Sequence, residues 1–288
     1  MGYEGGMSMI KKIKLSSVVG VAVFALIGCG TQQASEENTS NIYEVANAWK
    51  NTAAEYDALF YQAFNIAGDR IELELEKLAL DKKSDDKKLA IISDVDDTLV
   101  INEHFWSEVI KADKEYFDDD LWDQQISEYV LQAAPGATEF LTAVADKDIE
   151  VFYVTSRNQF DDEEKTNEYA VNQLAKLGFP NADAEHVKVL MESSNKEEVQ
   201  AEIEQDYHVL LRLGDNLNDF NRSFYVDTVD ERKELTEQQK EHFGREYIVF
   251  PNPTDGHWVR TIFGESEPQA SEKTTELWKK AGTGELDQ

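Results

Sequence analysis

Three carboxylates crowd into four residues of the stretch KLAIISDVDDTLV, Lys88 to Val100. Asp94, Asp96 and Asp97 follow the apolar run Leu89, Ala90, Ile91 and Ile92. Like charges at that range repel, and one member of a close pair resists ionisation. Such a cluster persists where a cation neutralises it or where the acids share a task. A strand ending in a solvated acidic turn is the bland alternative. Hard oxygen ligands on rigid strand ends, with room for water, suit Mg2+ better than a calcium cage, and the stretch lacks the glycine and distant glutamate of an EF-hand loop. Other chemistries lack their residues: there is one cysteine, no HExxH, no GxSxG elbow and no GKS or GKT loop, and the five histidines show no ligand spacing. An aspartate beside Mg2+ can attack phosphorus to give an aspartyl-phosphate. A second aspartate two residues on can protonate the leaving oxygen and then deprotonate the attacking water. The charge that spreads over the phosphoryl oxygens calls for a hydroxyl donor and a lysine nearby.

The elements that must bring these groups together are legible as a pattern. From Tyr43 to Leu80 apolar residues recur at three- and four-residue steps, which predicts helix, with Gly68 as a break between two helices. Buried strands are expected at Leu89–Ile92, Ile149–Thr155, HVKVLM, HVLLRLGDN and REYIVFPNP. Helices are expected from the Pro135-Gly136 turn to about Ala145, over EKTNEYAVNQLAKLGFP, and over KEEVQAEIEQDY. Asn102 to Val130 reads as helices and loops. Continuous apolar strands alternating with helices indicate a parallel sheet covered on both faces, with ligands outside the carboxyl ends of its strands. The residues just past those ends are Asp94 and Asp96, Thr155, the Ser193–Lys196 region, and Asp215.

DVDDT, VTSR, SSNK and GDNLNDF stand in the order of the haloacid dehalogenase (HAD) superfamily motifs, and the last resembles the class C bacterial acid phosphatases, the lipoprotein 5′-nucleotidase group. EYDALFYQAFNIA before the first motif, and FPNP with Trp258 after the last, add to the likeness over Ile42 to about Gly264. The resemblance implies an α/β fold: a HAD-type, Rossmann-like core with a parallel sheet, at about 88–264, plus a small α-helical cap built from about 43–80 and 102–134. It implies a phosphoric monoester hydrolase with an acidic optimum. Asp94 would be nucleophile and metal ligand. Asp96 would be the acid/base, with its carbonyl on the metal. Thr155 would contact the phosphoryl group and Lys196 would neutralise it. Asp215 and Asp219 would complete the Mg2+ site. Substrate contacts would come from Asn102, Phe105, Trp106, Trp122, Ser156 and Arg157, where stacking on a base competes with burial in the cap's own core, and where Arg157 has either phosphate or the acids of DDEE to reach. Three departures stand out: Asp97 replaces the family's usual glutamate, Val199 replaces an arginine, and Asp255 replaces the aromatic of Pro-Asn-x-x-Tyr-Gly-x-Trp. The last bears on nucleotide preference more than on phosphatase chemistry.

The chain has 288 residues, 41% hydrophobic, with a formal charge of -30 from 58 acids and 28 bases. That supports a sizeable core and disfavours nucleic acid as a partner. Lys11, Lys12 and Lys14 precede an apolar run, Val18–Ile27, too short for a comfortable membrane span. The run ends in Leu26-Ile27-Gly28-Cys29, which resembles a lipobox. The expectation is a signal peptide at 1–28, lipidation at Cys29, a polar tether at 29–41 and one phosphatase domain at 42–288. Gly30 after the cysteine points to a lipid anchor in the outer membrane of a bacterial envelope. Two rivals stand beside a nucleotide-hydrolysing enzyme: a HAD phosphatase with a non-nucleotide substrate, and a catalytically inactive surface lipoprotein.

Overall fold

The computed structural model describes residues 41–80, 87–158, 160, 162–265 and 268–286. The expected signal peptide, nearly all of the tether, and Cys29 lie outside these residues. Ten α-helices and seven strands are present among them. Five strands form one parallel sheet: β1 (Lys88–Ser93), β4 (Ile149–Ser156), β5 (Val187–Leu190), β6 (Tyr207–Gly214) and β7 (Tyr247–Val249), in the order β5-β4-β1-β6-β7. The acid-bearing strand is therefore central. Its alternation explains the apolar run: Ile91 faces the larger core, while Ala90 and Ile92 face a second, smaller one with Phe152, Val154 and Ile203. Both faces are covered, so neither can be polar.

The larger face is covered by α2 (Ala54–Leu80), α5 (Ala137–Ala145) and α6 (Glu163–Lys176), and the smaller by α7 (Glu197–Asp206). Along α2, Tyr56, Phe60, Ala63, Phe64, Ala67 and Ile71 are buried at helical spacing. Phe60 and Phe64 meet Phe250 beyond β7, at ring separations of 5.4 and 4.8 Å, and Phe64 stacks on Phe140 of α5 at 5.0 Å. Gly68 does not break the helix. The interruption falls instead at Ala53, whose extended backbone (ψ 116°) separates α1 (Glu44–Thr52) from α2. A mid-helix glycine costs roughly 1 kcal/mol against alanine, and the buried stripe on either side of Gly68 outweighs it.

The expected assignment of 43–80 to a cap divides at that break. The long α2 is a sheet-covering helix, and α1 packs on α3 (Glu103–Lys111) at the carboxyl end of the sheet. The segment after β1 holds α3, α4 (Asp119–Glu128) and a short antiparallel pair, β2 (Val100–Ile101) with β3 (Gln132–Ala133). The acidic runs FDDDLW and DDEE both start helices: Asp118 caps α4 by accepting from the Leu121 N–H at 3.1 Å, and Asp162 caps α6 from the Lys165 N–H at 3.0 Å. Downstream lie α8 (Val229–Gln238), α9 (His257–Phe263) and α10 (Glu272–Thr283). No helix among the described residues is long and apolar enough to cross a membrane.

Candidate active site

The carboxyl ends of β1, β4 and β6, with the start of α7, bring the acids into one place. Asp94 extends β1, its N–H bonded to the Leu213 carbonyl at 2.9 Å. Asp215 follows β6, and Asp219 closes a 3-10 turn at Leu217–Asp219. Carboxylate oxygens of Asp94, Asp215 and Asp219 lie within 4.8 Å of one another. The GDN turn explains the approach. Asp219 Oδ2 accepts from the Asn216 N–H at 2.9 Å, folding its side chain back over Gly214. A Cβ at Gly214 would stand 2.5 Å from Asp219 Cβ and Oδ2, so the turn needs glycine for close approach.

Lys196, at the N-cap of α7, is 5% exposed and places its ammonium on Asp94 Oδ1 and, at 2.7 Å, on Asp219 Oδ1. Burial pushes the lysine's pKa down, but the two carboxylates outweigh it and hold the group above its ordinary value. Thr98 Oγ1 sits 3.2 Å from both Asp94 Oδ2 and Asp215 Oδ1. A hydroxyl has one proton to donate, so it cannot fully satisfy two carboxylates. Burial raises Asp94 to about 7 against the lowering effect of Lys196, with Asp219 and Asp96 adding repulsion. Burial also drives Asp215 well above the usual carboxylate range, with Asp219, Asp94 and Asp97 adding to it. The trio thus carries more negative charge than Lys196 balances. Its donor set, hard oxygens on strand ends, fits a divalent cation.

Asp96 is turned away from the trio. Its carboxylate takes a bidentate pair from Arg157, Nε at 2.8 Å and Nη2 at 2.6 Å, and the Thr155 hydroxyl at 3.1 Å. Arg157 therefore reaches Asp96, and its buried Nη1 has no partner among the described residues. Thr155 is 1% exposed near the end of β4, and its hydroxyl donates to this carboxylate. Asp96 lines a crevice of about 370 Å³ together with Asn102, Trp106, Trp122, Ser156, Asp255 and His257. Of the expected stacking residues, Phe105 is a correction. It is wholly buried against Trp106, Phe117 and Trp122, so it belongs to the core of the α3–α4 unit and no substrate ring can stack on it. Trp106 is a second correction: it is equally buried, packed between Tyr43 and Phe105, and offers no free face to a substrate ring. Trp122 belongs to the same aromatic cluster and borders the crevice, as do Tyr43 and Tyr116.

Several residues of this site are not among the expected ones, and most of them have no signature in the sequence. Thr98 was within reach, inside DVDDT itself. Asn252 donates 2.8 Å to Asp215 Oδ2 and 2.6 Å to Asp255 Oδ1, so the departure at Asp255 touches the metal-site acid through a shared amide. His257 bonds Ser194 at 3.1 Å and is pushed down to about 3, by burial first and then by Arg232, Arg222 and Lys196. Asn216 and Asn218 are both held by Arg232 at 3.0 Å, from α8, an element the sequence pattern did not mark. Lys50 reaches the site from α1, where an exposed helical lysine would be expected.

The family described as HAD superfamily, subfamily IIIB (acid phosphatase), matches residues 11–258. Among solved structures, the crystal structure of a class C acid phosphatase from Bacillus anthracis with tungstate bound is 27% identical. The match covers 85% of this chain and 96% of that one, at a TM-score of 0.73. A second structure of the Bacillus anthracis class C acid phosphatase is 26% identical, over 82% of this chain and 94% of that one, also at 0.73.

Proposed function

This chain belongs to HAD subfamily IIIB, the acid phosphatases, and is a phosphoric monoester hydrolase; from that premise we propose that it is a Mg2+-dependent enzyme of the bacterial cell envelope that takes nucleoside 5′-monophosphates among other organic phosphomonoesters. The observation that carries the catalytic part is the meeting of Asp94, Lys196, Asp215 and Asp219 at the carboxyl end of the central strand. Asp94 is the nucleophile: its carboxylate attacks phosphorus, the ester oxygen departs, and an aspartyl-phosphate forms. Lys196 favours the charged form of that carboxylate and offsets part of the cost of burial. In the acid/base role Asp96 must first take up a proton, which requires its ionised pairing with Arg157 and Thr155 to loosen; it gives that proton to the leaving oxygen and then takes one from the water that cleaves the intermediate. Thr155 and Arg157 orient Asp96. Asp94, Asp215 and Asp219, with the Asp96 carbonyl, are the groups that would hold Mg2+, which supplies charge neutralisation and Lewis acidity at the phosphoryl oxygens.

Nucleotide use is supported by the aromatic wall of the crevice, Tyr43, Tyr116 and Trp122. Asp255 in place of an aromatic weighs against it. The envelope address and the lipid anchor rest on the residues around Cys29. Phosphate release by the full chain from p-nitrophenyl phosphate and from AMP, with Mg2+ and with EDTA, beside Asp94→Asn, tests the chemistry. Metal-dependent release lost in the variant is expected, and release that survives Asp94→Asn refutes the nucleophile. A faster rate on non-aromatic phosphomonoesters than on AMP would move the substrate reading to the non-nucleotide rival. Fatty-acid labelling of the wild type but not of Cys29→Ser checks the anchor.

A further inference from the structure

A buried lysine sits beneath the site and is not one of the motif residues. Lys50, from α1, has its side chain 0% exposed, and its ammonium meets three oxygens: Asp97 Oδ1 at 2.7 Å, Asn102 Oδ1 at 2.6 Å and Thr254 Oγ1 at 3.3 Å. An ammonium has three protons to donate, so this set satisfies it completely. The acceptors come from three separate segments. Asp97 lies in the motif loop, one residue past Asp96, in a left-handed conformation at φ +56°. Asn102 opens α3 and lines the crevice. Thr254 belongs to the loop after β7 and donates 2.8 Å to Asn252 Oδ1, and the Asn252 amide in turn donates 2.8 Å to Asp215 Oδ2. One cation thus joins the loop carrying Asp94 and Asp96 to the loop that braces Asp215. Removing one partner of such a buried pair strands the other charge in a low-dielectric setting. Asp97 would then stand uncompensated beside an already overcharged trio.

We propose that Lys50 is a positioning residue for the phosphatase reaction, holding the Asp97 turn and, through Thr254 and Asn252, the Asp215 carboxylate in register with Asp94. The inference rests on the phosphatase reading above. It is tested on the full chain with Lys50→Met and with Thr254→Val, which keeps the Lys50–Asp97 pair and removes only the hydroxyl between Lys50 and Asn252. Three readouts apply: kcat and KM on p-nitrophenyl phosphate, the Mg2+ dissociation constant by calorimetry without substrate, and Tm. For Lys50→Met, kcat should fall and the Mg2+ dissociation constant should rise, each by about tenfold or more, with KM changed by less than about threefold. Thr254→Val should weaken Mg2+ by a smaller factor, about threefold. A folded Lys50→Met with lowered Tm but wild-type kcat and Mg2+ affinity makes Lys50 a structural residue and overturns the proposal. Should Lys50→Met not fold, Thr254→Val decides: unchanged kcat and Mg2+ affinity there refute the route to Asp215. A wild type that releases no phosphate yet binds Mg2+ overturns the phosphatase reading separately, and the calorimetric arm still reads the effect of Lys50.

Discussion

Lys196 puts one ammonium on two carboxylates, Asp94 and Asp219, at a depth where water contributes little screening. Charged groups in such a place are worth far more than at the surface, because the site is preorganised and needs no rearrangement as charge develops. Lys196→Met should therefore lower kcat on p-nitrophenyl phosphate by roughly 10²- to 10³-fold, in line with the loss of one preorganised donor. Steady-state kinetics on folded variant would contradict this if kcat stayed within a few-fold of wild type. DVDDT, the lysine and GDNLND were readable as residue types, because each is a cluster of groups that a core strand does not otherwise carry. Lys50 and Asn252 were not readable. A single lysine in a helix and an asparagine in a loop are ordinary surface residues until the fold buries them.

At the level of elements, α2 is held by its aromatic stripe and not by its termini. Phe64 touches Phe140 of α5 and Phe250 beyond β7, joining two layers. Phe64→Ala should cost about 3–5 kcal/mol, the range for deleting a buried phenyl ring. Urea denaturation measures this; a loss under about 1 kcal/mol would mean that the layers close around the gap. The opposite end of the sheet holds a second polar cluster. His186 lies between Asp183, 2.8 Å from Nδ1, and Glu150, 3.0 Å from Nε2. Burial lowers the imidazole's pKa, but the two carboxylates outweigh it and raise the group above its ordinary 6.5. Glu150 is in turn held down at about 2, where Lys88, Tyr207 and His186 outweigh its burial. For a group whose folded pKa is raised, the stabilisation is fully present below the unfolded pKa and fades as pH climbs through the folded one. His186→Gln should accordingly lower Tm most near about pH 5.5 and least above about pH 8.5. Calorimetry that found an equal loss at both would show that the imidazolium contributes nothing. The expected helix break at Gly68 failed at this same scale: a local glycine signal was outweighed by packing that only the assembled sheet supplies.

The whole molecule carries a formal charge of -30 over 288 residues, and self-repulsion opposes compaction. Added salt shortens the screening length from about 30 Å at 10 mM to about 8 Å at physiological strength. Tm of the full chain should therefore rise as NaCl goes from about 10 to about 200 mM. Differential scanning calorimetry checks the sign, and a flat or falling Tm would place the acids in stabilising pairs with the bases. At this scale the chain also extends past the family match. The α10 helix packs on α9, with Trp278 against Trp258 and Phe263 at 5.8 and 5.0 Å, and Pro268 reaches the crevice.

The sequence by itself determined the parallel α/β layering, since apolar strands of period-free pattern admit no solvent face, and it determined which acids, hydroxyl and lysine end those strands. Local order along a strand places Asp94 and Asp96 two residues apart whatever else happens. What only the tertiary structure decided is where each carboxylate points. Asp219 turns over Gly214 to join Asp94 and Asp215, while Asp96 turns to Arg157 and Thr155. It also decided the burial of Lys50, which meets Asp97 across 47 residues and Thr254 across 204, a match that hydrogen-bond satisfaction in a dry interior enforces and that no local spacing encodes.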